Sequence, residues 1–434
     1  MTRPLPLIAA ILCAGAALQA LLWSRQWIYG DQYALLLSGI GVLETGNLPP
    51  FAKTMSGGGR IPGALLPLLI AAPLEMWADY RAPGLLIGLS HLAAAAILSV
   101  CIGRALGARF LAAYLAVYWL SPWRLYHAGF VWEPAYVFLP AALHLASAYR
   151  LRERPHRGWS LLHAATLTLA LQLHGSFLVL VLLTAGLAAG RRIRLDVRGC
   201  VLGVLAGGLT LVPTALAFVA GRLPRILPGN TDELSPVLVG LVNLPKSLAY
   251  WWRLGSLYIG RRLEQTVYAE AEAAASGAET AFASGLTSVV IAVSTVSVAL
   301  AVFASWRYFR RHPSFDPDDR GRRRPQADWL RAYAGWCLAA LCAAATLSPV
   351  PVQGWHVVIA FHAACLPVAA WLDAAFRAPS RLLRAGAATF ILLEVVVVLL
   401  LAFGHPMYRP VSGDALLRQD LPDAVRPLIP DRPR

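Results

Sequence analysis

Apolar runs, most of 15–23 residues, recur from the first residues to near the end of the chain, separated by short polar breaks. The spans read at 5–23, 83–102, 109–121, 134–149, 159–174, 175–190, 199–220, 284–306, 329–348, 357–373 and 385–403. Runs of this kind mark membrane crossings. The pattern predicts an all-α integral membrane protein, residues 1–434 forming one transmembrane domain with about eleven transmembrane helices. A further apolar stretch at 62–77 is short, carries prolines at 62, 67 and 73, and is bounded by charge. It suits a non-crossing juxtamembrane segment as well as a span.

Arginine placement separates those two options. With the N-terminus inside and 62–77 not crossing, the dense clusters at 150–157, 191–198 and 307–324 all fall in cytoplasmic loops. If 62–77 crosses, all three are forced outside, against the positive-inside rule. The expected outer segments are then 24–82, 121–133, 221–283 and the tail 404–434. Within 221–283, Leu234 to Ile259 has the spacing of an amphipathic juxtamembrane helix, and the alanine- and glutamate-rich Tyr268 to Phe282 should also be helical. The 310–328 stretch, with Arg, Asp and Pro, reads as a flexible solvated loop. The N-terminus lacks a good small-x-small cleavage site, and its apolar run continues through Trp23, so an uncleaved first helix is expected.

Composition agrees with a membrane class: 58% hydrophobic, 14% charged, mean hydropathy +0.58. The net charge of +15 comes almost wholly from arginine, Lys53 and Lys246 being the only lysines. These charges sit in short clusters between apolar runs, not on one face, so nucleic acid is not an expected partner. The six cysteines fall in or beside apolar runs without metal-ligand spacing and read as packing residues.

Chemistry concentrates on the expected outer side. Asp31, the first acid in the chain, lies just past the first span. A carboxylate at a water boundary walled by apolar helices suits a general base; the alternative is an ordinary helix-terminal residue. The connector Ser121-Pro122-Trp123-Arg124-Leu125-Tyr126-His127-Ala128-Gly129-Phe130-Val131-Trp132-Glu133-Pro134 packs Arg, Tyr, His, Trp and Glu between two spans. Such clusters usually face a cavity, although Glu133-Pro134 equally suits a helix start. His174 and His356 map to the same side, whereas His91 and His362 lie inside spans and read as packing.

An acid directly after the first span, a long outer loop with a proline-bearing apolar segment, and the Ser-Pro-x-x-x-Tyr-His-x-x-x-x-Trp-Glu-Pro connector together resemble the GT-C superfamily of lipid-phosphate-sugar glycosyltransferases. Within it the pattern is similar to the protein O-mannosyltransferases and lipid A aminoarabinose transferases of glycosyltransferase family 39. The resemblance covers roughly residues 5–220. It implies a GT-C fold and an extracytoplasmic site at a bacterial inner membrane. It also implies a polyprenyl-phosphate sugar donor, and a lipid, glycan or protein acceptor. By the resemblance Asp31 is the base for the acceptor hydroxyl, with Gln32 standing where many members have a second acid. Glu133 matches the acid of the second outer loop, and Arg60, before Ile61-Pro62, falls near a phosphate-binding basic position. Trp355-His356 is similar to an aromatic-histidine pattern opening a late span. Arg60, Arg124, Arg222 and Arg225 are the outer-side arginines suited to phosphate. Arg60, Arg124, Tyr126, His127, His174 and His356 form the expected substrate-binding set. No cofactor is firmly implied; a divalent cation is compatible with Asp31 and Glu133. The competing reading is a polytopic transporter or lipid flippase, for which Glu394, amid Ile391-Leu392-Leu393, is the main argument.

Overall fold

The structure is a computed structural model; it describes residues 4–26, 28, 31–55, 59–222, 236–260, 277–310, 317–404 and 423–428. Helices dominate throughout. Six of those described are long and apolar enough to cross a membrane: Pro4–Arg25, Ala82–Leu106, Val197–Val219, Ser288–Arg310, Gly354–Arg377 and Arg381–Phe403. The expected runs at 109–121, 134–149, 159–174 and 175–190 form shorter helices, Ala108–Trp119, Phe138–Leu151, Arg157–Leu171 and Phe177–Ala189. Ala108–Trp119 would rise only about 18 Å, well short of a ~30 Å hydrocarbon core. From Phe110 onward it is buried on every side, so it meets protein, not lipid.

Val197–Val219 shows what the outside of the bundle meets. Val197, Val201, Leu205, Leu209, Val212, Leu216 and Val219 form an exposed apolar stripe along it. A stripe of that length facing water would be a severe liability; facing lipid it is ordinary. On its other side Gly199, Gly203 and Gly207 repeat every fourth residue and are buried. A Cβ on Gly203 would come within 2.2 Å of the Leu161 carbonyl oxygen, and one on Gly199 within 2.3 Å of the Arg157 carbonyl oxygen. The glycines let this helix lie backbone to backbone on Arg157–Leu171, as small residues do between membrane helices. The chain is a multi-pass membrane protein.

The stretch between the first two long helices is folded. It contains α2 (Asp31–Thr45), a two-stranded hairpin of β1 (Phe51–Thr54) and β2 (Arg60–Pro62), and α3 (Leu65–Met76). The strands are antiparallel, with Phe51 opposite Pro62 and Thr54 opposite Arg60. The apolar 62–77 segment thus supplies a short helix, closed at its end by Trp77 N–H donating to the Pro73 carbonyl, and packed against α2. Neither α2 nor the hairpin has a period long enough to stand out in the sequence.

One expectation about the later segments changes. The 317–328 part of the supposed flexible loop is helical, the first turns of Pro317–Thr346. Proline suits a first helical turn, and arginine, glutamine and alanine are good helix formers. That end is also docked: Trp329 Nε1–H donates to the Arg192 carbonyl at 2.9 Å, and Arg323 lies against Gly107. The segment Leu234 to Ile259 holds a helix, Pro236–Leu254, with an inner face on protein. Asn243 Nδ2 donates to the carbonyls of Ala345 and Val350 at 3.0 and 2.9 Å, and Trp251 is buried. Its other face exposes Val237, Leu238, Leu241, Val242 and Leu244. The expected helix at Tyr268 to Phe282 lies outside the described residues up to 276; from 277 it belongs to Gly277–Arg310.

Candidate functional site

A cavity of about 700 Å³ opens between the hairpin, the 121–134 connector and two later segments. Its polar lining includes Asp31, Gln32, Lys53, Glu133, His174, Ser176 and His356. Its apolar lining includes Ile61, Phe130, Trp132, Leu341, Ala344, Val350, Val352 and Trp355. Four parts of the chain, distant in sequence, meet here.

Asp31 opens α2, where a carboxylate suits the positive end of the helix dipole. Lys53 sits on β1, and its Nζ lies 2.7 Å from Asp31 Oδ2 and 2.8 Å from Glu133 Oε1. Glu133 begins a 3-10 turn, Glu133–Val137, directly after extended Trp132. One ammonium therefore joins two carboxylates from different loops. The two acids differ in setting. The Asp31 side chain is 58% exposed and that of Glu133 only 11%. Burial pushes the Glu133 carboxyl above the usual range, against the pull of the Lys53 charge. Its Oε2 is buried with no hydrogen-bond partner among the described residues.

The hairpin that aims Lys53 is pinned from below. Gly63, at φ +90°, turns the chain out of β2. Its N–H donates to Thr214 Oγ1 at 2.8 Å, and the Ala64 N–H donates to the Thr210 carbonyl at 2.9 Å. Thr210 Oγ1 in turn donates to buried Gln172 Oε1 at 2.7 Å. Gln32, in the place of a second acid, is buried and accepts from the Val131 N–H at 3.2 Å. It ties α2 to the connector that carries Glu133.

The histidines have fixed tautomers. His174 Nδ1 accepts from the Ser176 N–H at 3.1 Å, and His356 Nδ1 accepts from the Gln353 N–H at 3.0 Å. A neutral ring whose Nδ1 accepts carries its proton on Nε2. Burial, with the positive charge of Lys53 among its neighbours, lowers His174 to about 3, so it is neutral at physiological pH. The rings of His174 and His356 lie 5.9 Å apart.

The other expected site residues distribute unevenly. Tyr126 lines the cavity. Arg60 is exposed on β2, one residue from the lining Ile61. His127 is behind the wall, stacked on Trp132 with centroids 5.7 Å apart, its Nδ1–H donating to the Trp123 carbonyl at 2.8 Å. Arg124 is not brought to the cavity. It is fully buried, donates from Nε and Nη2 to the Trp119 carbonyl at 3.0 and 2.6 Å and from Nη1 to Gln19, and lies over the Trp119 ring. Those bonds close the C-terminal end of Ala108–Trp119, where unpaired carbonyls attract cations. Arg222 is exposed at the end of Val197–Val219, and Arg225 lies outside the described residues. Lys53 is the residue sequence reasoning passed over; its one signal is being one of two lysines in an arginine-rich chain. Among the described residues no three His, Cys, Asp or Glu side chains converge as a metal site.

The chain is similar in structure to ArnT from Cupriavidus metallidurans bound to undecaprenyl phosphate, with TM-score 0.48 and 14% identity over 98% of this chain and 74% of that one. It is also similar to ArnT from the same organism in the apo state, with TM-score 0.41 and 15% identity over 84% of this chain and 76% of that one. A third likeness is to the Archaeoglobus fulgidus oligosaccharyltransferase complex with Zn and sulfate, with TM-score 0.48 and 14% identity over 97% of this chain and 57% of that one. No protein-family model matches the sequence, and no curated protein matches it.

Proposed function

We propose that the protein transfers a sugar from a polyprenyl-phosphate donor to an acceptor hydroxyl at the outer face of the membrane. The observation that carries this reading is the Asp31–Lys53–Glu133 array at the edge of a mostly apolar cavity. A polyprenyl-phosphate sugar is itself polar at one end and apolar along the rest. Its phosphate would meet Lys53 as a point charge and the Nε2–H groups of His174 and His356 as neutral donors. Glu133, buried and anchored on the connector, holds Lys53 from behind.

In this reading the phosphate competes with Asp31 for Lys53. Asp31, the more exposed carboxylate, then turns to the acceptor and takes the hydroxyl proton as the new bond to the sugar C1 forms. The C1–O bond to phosphate breaks and its electron pair leaves with the phosphate oxygen, beside Lys53. The transporter or flippase reading draws on one feature, the Glu394 carboxyl buried in Arg381–Gly404. It leaves the gathering of polar groups at one cavity without a role.

The test is Asp31→Asn in nanodiscs supplied with a panel of polyprenyl-phosphate sugars. Turnover should fall by about 10²–10⁴-fold, the usual contribution of a general base, with normal expression and donor affinity no weaker than wild type, since the carboxylate that competes for Lys53 is gone. Full activity removes the base role; wild-type protein inert with every donor removes the reading.

A further inference from the structure

Away from the cavity, three buried histidines on separate helices share one hydrogen-bonded chain. His163 Nδ1 lies 2.8 Å from Ser147 Oγ, and its Nε2 lies 3.0 Å from Thr184 Oγ1. Thr184 Oγ1 is 2.9 Å from His144 Nε2, and His144 Nδ1 is 2.9 Å from the Tyr333 hydroxyl. That hydroxyl is 3.0 Å from His362 Nε2, and His362 Nδ1 is 3.2 Å from the Ile359 carbonyl. The chain joins Phe138–Leu151, Arg157–Leu171, Phe177–Ala189, Pro317–Thr346 and Phe361–Arg377.

Its direction follows from its last link. A carbonyl only accepts, so His362 Nδ1 carries a proton and its Nε2 accepts from Tyr333. Tyr333 then accepts from His144 Nδ1–H, whose Nε2 accepts from Thr184. Thr184 accepts from His163 Nε2–H, and Ser147 donates to His163 Nδ1. With three neutral rings every nitrogen is paired and no proton is left over. Each hydroxyl is also within donating reach of a backbone carbonyl: Ser147 Oγ is 2.8 Å from that of Leu143 and 3.1 Å from that of His144, and Thr184 Oγ1 is 2.9 Å from that of Leu180. Giving either proton up there would leave a buried ring nitrogen without its donor. Because the chain ends on a carbonyl, it does not conduct protons; it can only hold.

What it holds is the cavity wall. Ile359 sits in the 3-10 turn Val358–Ala360, three residues after His356 and two after the lining Val357. The turn is further fixed by Tyr114, whose hydroxyl donates to the His362 carbonyl at 2.9 Å. We propose that this chain is a positioning device that sets the 354–360 turn, and with it the Trp355–His356 wall of the cavity, with Tyr333 as its central link. The proposal concerns the shape of the cavity and holds for any ligand there; only its affinity arm rests on the donor reading above.

The test is hydrogen–deuterium exchange on Tyr333→Phe in nanodiscs, beside its Tm. Peptides covering 354–361 should exchange roughly tenfold faster, as expected when one to two hydrogen bonds are lost. Exchange in 138–171 and 317–346 should stay near wild type. His144→Gln, whose amide can both donate and accept, should exchange like wild type, and His144→Leu like Tyr333→Phe. Affinity for undecaprenyl phosphate should weaken severalfold in Tyr333→Phe and recover in His144→Gln. Unchanged exchange at 354–361 overturns the proposal, as does acceleration spread evenly over all the helices. If Tyr333→Phe does not fold, the two His144 variants decide by the same criteria. If wild-type protein ignores undecaprenyl phosphate, the donor reading fails and exchange alone settles the tie.

Discussion

Lys53→Met isolates the energetics of the site. The substitution keeps the side-chain volume and removes the cation from between Asp31 and Glu133, 2.7 and 2.8 Å away. The Asp31 contact is solvent-exposed, so its loss costs less than about 1 kcal/mol. Glu133 is nearly buried, and breaking a buried pair by removing one partner costs about 3–5 kcal/mol. The cavity admits some water, so a net loss of about 2–3 kcal/mol is expected near pH 7.5. The sign of its pH dependence follows from Glu133. Its folded carboxyl titrates above the usual range, so at pH between the unfolded and folded values the folded protein holds a proton that the unfolded chain has released. Stability is full below the unfolded value and falls as pH rises through the folded one. Without Lys53 the folded value climbs further, so the Lys53→Met deficit should shrink as pH falls. Adding Glu133→Gln should rescue most of it, because the uncompensated charge is then gone. The assay is thermal unfolding in detergent across pH for the four members of the double-mutant cycle. A double variant no more stable than Lys53→Met, or a deficit independent of pH, refutes the argument.

Other substitutions test the scaffold. Gly203→Val should separate Val197–Val219 from Arg157–Leu171, since even a Cβ meets the Leu161 carbonyl oxygen at 2.2 Å; Tm should fall sharply, and a variant as stable as wild type refutes backbone contact there. Gly63→Ala should cost about 1–3 kcal/mol, because φ is +90° and its Cβ would collide with Gln172; unfolding measurements showing no loss would exclude the pin. His174 is lowered to about 3, so wild-type protein should lose stability as pH falls from about 6.5 toward 4, when the unfolded chain alone takes up the proton. His174→Gln should lose less over that range, by the share of this one ring, and parallel pH curves for the two proteins would contradict it. Glu394→Leu should hold or raise Tm, because Glu394 Oε2 is buried with no hydrogen-bond partner among the described residues; a lower Tm would mean the carboxyl is supported.

What the sequence reveals of this molecule depends on the range of the signal. Apolar run length is local and strong, so Pro4–Arg25, Ala82–Leu106 and Arg381–Gly404 are legible within a few residues. The Gly199–Gly203–Gly207 spacing is equally local, but it acquires meaning only beside the helix it touches. Ala108–Trp119 shows where run length misleads: an apolar segment sunk in protein needs no bilayer-spanning length. The site divides along the same line. Asp31, Glu133, His174 and His356 stand at the ends of apolar runs, where a polar residue is conspicuous, and all four line the cavity. Arg124 is as conspicuous as they are, yet its side chain turns back to the Trp119 carbonyl, a choice made by the angle between two helices. Lys53 is the converse case, placed by a four-residue strand whose position depends on Gly63, Thr214 and Gln172. His362, read as packing, carries a link to Tyr333 on another helix, 29 residues away. Chemistry that one loop presents by itself can be read along the chain; chemistry that needs a second element to aim it appears only once both elements are in place.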